Sequence, residues 1–301
     1  SNAHEHHEDT TSGGISFSTL KSFETSYLLG ACTLALVLLY GIHARPVVVV
    51  SGFGLLAFIV NRRVVEFWWF WLPIALVFTY ELTLIWENTG NHFYVICYWI
   101  WVITLAACFP NRQSQIISTT AHILLVFVFA AAVYQKLASP HYMSGAMFEM
   151  KLLRSEGFAE FARFFGISDQ IMNEVTIITN LLRDPAISVP GNELVVPSTD
   201  RVRTLGLWLT WYDLLVQIAV VIALLVPIRA VQIFGNLALL FFIATAYVWV
   251  QIIEFGWVIT VMGLAMSRDR FPVIGAMYFA MLGILLVYLL PVGAFLNGVF
   301  R

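Results

Sequence analysis

The chain has 301 residues, of which 60% are apolar and 11% charged, with a formal net charge of -2. A soluble domain averages about 25% charged residues, so most of this chain is built for lipid rather than water, and it lacks the basic stripe that a nucleic-acid partner requires. Cys32, Cys97 and Cys108 stand singly inside apolar runs, which excludes a CxxC relay and argues against a structural zinc site.

Residues 1–24 read as a solvated, disordered tail, with Ser1-Asn2-Ala3 resembling the scar of a cleaved tag. His4, His6 and His7 fall in that tail, where hydration is expected in preference to metal binding. The first apolar run starts after about two dozen residues and lacks a small-residue cleavage site, so no signal peptide is expected. From residue 25 to 301 one membrane domain is expected. A span needs about 20 apolar residues, and the apolar runs predict helices near 25–43, 46–61, 67–86, 93–109, 116–137, 205–228, 230–252, 254–267 and 272–297. The runs 46–61 and 254–267 are short enough to be re-entrant, so the expectation is an all-α, polytopic membrane bundle of eight or nine transmembrane helices. With the N-terminus cytoplasmic, Arg62, Arg63, Arg112, Arg229, Arg268 and Arg270 fall on the inside and Arg45 alone in the short outer turns. That bias follows the positive-inside rule.

The stretch 138–204 is the one sizeable extramembrane insertion, expected on the outer (periplasmic, extracellular or lumenal) face. Residues 146–165 place Met147, Met150, Leu153, Phe158, Phe161, Phe164 and Phe165 roughly on one stripe, which predicts an amphipathic helix lying at the interface or over a site. A second helix is expected over 168–184 and a Pro-rich loop over 185–203.

Ionisable groups gather toward that same outer face. Glu81 and Glu87 lie near the end of the third span, and His92 opens the fourth. Lys136 closes the fifth before Ser139-Pro140 stops it, Asp213 lies in the outer part of the sixth, and Glu254 follows the seventh. A charge inside a bilayer costs about 2.5–3.5 kcal/mol on insertion scales, so each needs a partner or a wet cavity. Two readings stay open: unrelated interfacial charges and ion pairs, such as Glu81 with a snorkelling Lys136, or one site. In the second, a poorly solvated Lys136 serves as a general base and a neutral His92 donates to a developing anion. Asn91, Tyr134, Tyr142, Glu81, Asp213, Trp211 and Glu254 are then the candidate substrate-binding residues. His122 stands 14 residues before Lys136, about 21 Å down the same helix, and reads as a satisfied buried histidine.

Two segments carry a family resemblance. Ala130 to Met147, AAAVYQKLASPHYMSGAM, resembles the A-G-x-x-K-L-x-x-x-W-x-x-G stretch of the vitamin K-dependent gamma-carboxylase. That stretch is shared by the wider HTTM (horizontally transferred transmembrane) group. Asn91-His92-Phe93-Tyr94 resembles the family's asparagine-histidine motif, in the same order and at a similar separation. Tyr142 stands where the family has Trp, and Gly235 to Leu240 holds no counterpart of the family's Phe-His pair. The resemblance implies a membrane enzyme in which Lys136 deprotonates reduced vitamin K, or menaquinol, with His92 in the same site. Reaction with oxygen then gives a base that acts on a peptide glutamate. Its partners would be the bilayer, a quinone or lipid, and a peptide or small protein. Two alternatives stand beside it: a non-enzymatic membrane partner, such as a maturation or immunity factor for a secreted peptide, and, last, a transporter.

Overall fold

A chain surrounded by hydrocarbon must satisfy its own backbone N–H and C=O groups, and a long apolar run does so as a helix. The computed structural model describes residues 25–41, 45–154, 156–183, 198–250 and 253–289. Every regular element among them is helical. The helices are α1 (Thr25–Gly41), α2 (Arg45–Val60), α3 (Trp68–Leu84), α4 (Asn91–Ala106), α5 (Gln113–Leu137), α6 (Pro140–Met143), α7 (Ala146–Arg154), α8 (Glu156–Phe164), α9 (Asp169–Arg183), α10 (Asp200–Leu225), α11 (Arg229–Val250), α12 (Ile253–Ser267) and α13 (Pro272–Leu289). Among the described residues, three segments are long and apolar enough to cross a membrane: Pro110–Leu137, Asp200–Leu225 and Arg229–Tyr247. On length and composition the chain is therefore read as a membrane protein. Six shorter apolar helices accompany these three. The tail 1–24, residues 42–43 and 251–252 at the ends of two expected spans, residue 184 of the expected helix 168–184, residues 185–197 of the expected loop and residues 290–297 of the last expected helix lie outside the described residues.

A large core joins α1–α5 to α10–α13. Its tryptophans are buried with their N–H groups satisfied, as low-dielectric burial demands. Trp71 donates to the Val65 carbonyl at 2.8 Å, Trp99 to Thr33 Oγ1 at 3.0 Å, and Trp257 to the Cys32 carbonyl at 3.0 Å. The opposite faces leave large apolar side chains uncovered, among them Phe53, Ile59 and Val60 of α2 and Trp208, Leu215 and Ile222 of α10. Such faces suit lipid.

A second, smaller core ties α6–α9 to the first turns of α10 through Tyr142, Phe148, Leu152, Phe158, Val175 and Val202. The chain enters this layer where α5 ends. Ser139 caps α6, accepting from the Tyr142 N–H at 3.3 Å, and Pro140 occupies the first helical turn. Gly145 then turns the chain with φ of +82°, and a Cβ there would lie 2.9 Å from the Leu207 amide nitrogen. A Cβ on Gly206 would in turn lie 2.9 Å from the Gly145 carbonyl. These two glycines let α7 lie directly on α10.

The amphipathic stretch expected over 146–165 is helical as α7 (Ala146–Arg154) and α8 (Glu156–Phe164), with residue 155 between them outside the described residues. Phe148, Leu152, Leu153, Phe158 and Ala162 are buried, while Met147, Met150, Phe164 and Phe165 of the expected stripe are exposed.

Candidate functional site

At one end of the bundle, the start of α4, the end of α5, the middle of α10, the end of α11 and the start of α12 surround a cavity of about 440 Å³, with α7 against it. Lys136 sits in the last turn of α5 and Asp213 on the face of α10 that packs against it. Their ammonium and carboxylate form an ion pair, with the side chains 21% and 12% exposed. The pair is enclosed but reachable from the cavity, which both residues line.

Three donors converge on Asp213. Lys136 Nζ and the Tyr142 hydroxyl donate to Oδ2, and Gln217 Nε2 donates to Oδ1 at 2.9 Å. Gln217 lies four residues after Asp213 and so shares its helix face. Tyr142 arrives from α6, and its ring lies 5.3 Å from the Lys136 nitrogen. Burial first, then the Asp213 charge, pushes the Tyr142 hydroxyl far above its ordinary pKa. The phenol therefore stays protonated and acts only as a donor to the carboxylate.

His92 enters from the first turn of α4, its ring 4.1 Å from that of Phe93 and 6.2 Å from that of Phe255. A Cβ on Gly90 would lie 2.5 Å from His92 Cε1, so the imidazole rests directly on glycine backbone. Asn91 Nδ2 donates to Gln135 Oε1 at 3.3 Å, linking α4 to α5 at the rim. The remaining wall is largely apolar and aromatic, with Tyr98, Phe127, Phe148, Phe242, Tyr247 and Phe255. Comparison of the chain with protein-family models, with curated proteins and with solved structures finds no match.

Of the residues singled out in the sequence, Asn91, His92, Lys136, Tyr142 and Asp213 line the one cavity; Glu81, Tyr134, Trp211 and Glu254 do not. Tyr134 and Trp211 each stand two residues before a lining residue, which on a helix is about 200° around the axis. They are accordingly 74% and 47% exposed. Glu81 is half-buried on α3, a helix that contributes nothing to the cavity wall. Lys136 pairs with Asp213, not with Glu81. Glu254, at the start of α12, stays outside the wall but within electrostatic reach of His92.

Several polar residues of the cavity were not singled out from the sequence, among them Gln135, Gln217 and Lys151. Gln217 is an amide in the middle of an apolar span, and that setting was its only signal. Lys151, on α7, also lines the cavity. Burial lowers its pKa from the ordinary lysine value. His122 belongs elsewhere: its Nε2 lies 2.9 Å from the Leu224 carbonyl, and it lines a separate cavity with Arg112 and Arg270 toward the other end of α5.

Proposed function

We propose that this protein is an HTTM-type membrane enzyme, similar to the vitamin K-dependent gamma-carboxylase, whose cavity takes a lipid-soluble quinol and uses Lys136 to start its chemistry. The observation that carries the reading is that Lys136, Asp213, Tyr142 and His92, from four separate helices, meet in one cavity with an aromatic wall. All nine apolar helices cross the bilayer in this reading, with the N-terminus inside and α6–α9 outside. The six inner arginines then obey the positive-inside rule, and the cavity lies near the outer interface, open to a ligand arriving through lipid.

The residues present fit a quinol. Its ring and isoprenoid chain match the apolar wall, and its hydroxyl matches the polar end. A bound quinol would supply electrons for oxygen; the chain supplies the proton acceptor. Lys136 already holds a proton, so it receives another only by handing its own to Asp213. The pair thus moves from ammonium and carboxylate to ammonium and carboxylic acid, keeping a positive charge beside the anion it has created. Tyr142 and Gln217 fix the carboxylate for that transfer, and His92 faces the same space as a donor.

A test uses the full chain in nanodiscs with menadiol (2-methyl-1,4-naphthohydroquinone). Oxygen uptake should exceed the protein-free rate, and Lys136→Met should reduce the excess by about 100-fold or more, the usual worth of a general base. Uptake indifferent to Lys136→Met would remove the reading.

The exposed aromatic groups Phe164, Phe165 and Trp208 favour a second reading, a docking partner for a secreted peptide. Tight peptide binding unaffected by Lys136→Met would select it.

A further inference from the structure

Gln217 is 3% exposed and lines the cavity from α10. The orientation of its amide is fixed chemically. Nε2 faces Asp213 Oδ1 at 2.9 Å, and a carboxylate accepts hydrogen bonds, so nitrogen and not oxygen must point there. Oε1 is therefore turned away from the carboxylate, with less than 1 Å² of its surface open and no hydrogen-bond partner among the described residues, so a ligand group reaches it once the side chains around it shift. Buried polar atoms are nearly always satisfied, and one left without a donor marks a place where something else belongs. The neighbouring acceptors are already engaged: Asp213 Oδ2 by Lys136 and Tyr142, Oδ1 by Gln217, and Gln135 Oε1 by Asn91. What Oε1 itself still lacks is a donor.

We propose that Gln217 Oε1 accepts a hydrogen bond from the ligand's own hydroxyl, and that this makes the cavity select a hydroxyl-bearing ring over the same ring in its carbonyl form. The inference rests on the reading above, that a quinone-type ring enters here. A carbonyl form would set one acceptor against another and leave Oε1 unpaired. A site built to hydrogen-bond a ligand hydroxyl discriminates strongly against an analogue that lacks it. Gln217 is a positioning residue. An amide oxygen keeps no proton near neutral pH, so it holds the hydroxyl beside the Lys136–Asp213 pair in the bound state, and the single hydrogen swings from Oε1 to the pair before it is transferred. Oxidation of the ligand removes the donor, which weakens its hold and favours its exit into lipid.

The experiment measures equilibrium binding to the full chain in nanodiscs, without oxygen, for three probes. These are menadiol, menadione, and 1,4-dimethoxy-2-methylnaphthalene, which keeps the ring system but has no O–H. The wild-type protein should bind menadiol about tenfold tighter, or more, than either of the others, the worth of one buried polar group left unpaired. Gln217→Met keeps the approximate shape without the acceptor. It should bring the menadiol-to-menadione ratio close to one while menadione affinity stays within about twofold, a pattern that general loss of structure does not give. A wild-type ratio near one, as a resident water on Oε1 would produce, overturns the inference and leaves the quinol site standing. So does a Gln217→Met protein that retains the preference. Should that variant not fold, the wild-type ratio still decides. Failure of all three probes to bind overturns the quinol reading itself.

Discussion

Lys136 and Asp213 hold each other in a half-enclosed space, and the physics of such pairs separates stability from function. Asp213→Asn leaves an ammonium with no counter-charge and should lower stability by about 2–3 kcal/mol, less than a fully buried pair because the lysine is 21% exposed. Lys136→Met combined with Asp213→Leu should recover most of that loss in thermal denaturation, yet remain inactive toward menadiol. Recovery of activity in the double variant would mean that the pair serves only the fold. The imidazole gives a second prediction. Gly90→Ala pushes a methyl group to within 2.5 Å of His92 Cε1, so the ring must rotate away. Activity should fall several-fold with a stability change under about 1 kcal/mol, because the backbone before α4 is already extended. Lys151 gives a third. Its pKa is lowered by burial, so folding carries the cost of burying an ammonium at neutral pH, and that cost fades as pH rises toward the ordinary lysine range. Lys151→Met should therefore melt higher than wild type at pH 7, with the gap closing near pH 10 in paired thermal scans. At this scale the sequence was partly legible. Lys136, Asp213 and His92 stand out as charges and an imidazole in apolar runs. That Lys136 meets Asp213 and not Glu81 depends on which helices are neighbours, which spacing along the chain does not encode.

Helices were the most legible level, because length and apolarity alone place them. The nine expected apolar helices are present to within a few residues at their described ends. The extramembrane layer was less so. The apolar residues of 146–165 are frequent enough that the pattern alone does not say which of them the bundle covers. Packing of α7 on α10 and of α8 on α7 and α11 selects Phe148, Leu152 and Phe158 for burial and leaves Met150 and Phe164 outside. The packing of α7 depends on Gly206, where the α7 backbone comes too close for a side chain. Gly206→Leu should separate α7 from α10 and withdraw Phe148 and Lys151 from the cavity. Limited proteolysis would detect this as faster cleavage within 146–183, with helical content retained by circular dichroism. Unchanged cleavage would show that α7 is held by other contacts.

Across the whole molecule, α5 connects two unlike ends. From Ser114 to Lys136 it rises about 33 Å, roughly a hydrocarbon thickness. One end carries Arg112 and Arg270 around a polar cavity, and the other carries the ion pair and its aromatic pocket. Charged groups gather toward the ends of the bundle, isolated hydroxyls and amides such as Thr33, Gln217 and Asn236 are buried between them, and the ion pair lies where α4, α5, α10, α11 and α12 converge. The functional account claims that this pocket holds a quinone-type lipid. Solvent extraction of the protein purified from native membrane, followed by mass spectrometry, tests that claim most directly. The account predicts close to one isoprenoid quinol or quinone per chain in wild type purified without oxygen, and a loss of about tenfold in Ala246→Phe, which fills the cavity from α11, a helix that carries neither Lys136 nor Asp213. No quinol or quinone in the wild type, or the same amount in Ala246→Phe, would contradict it.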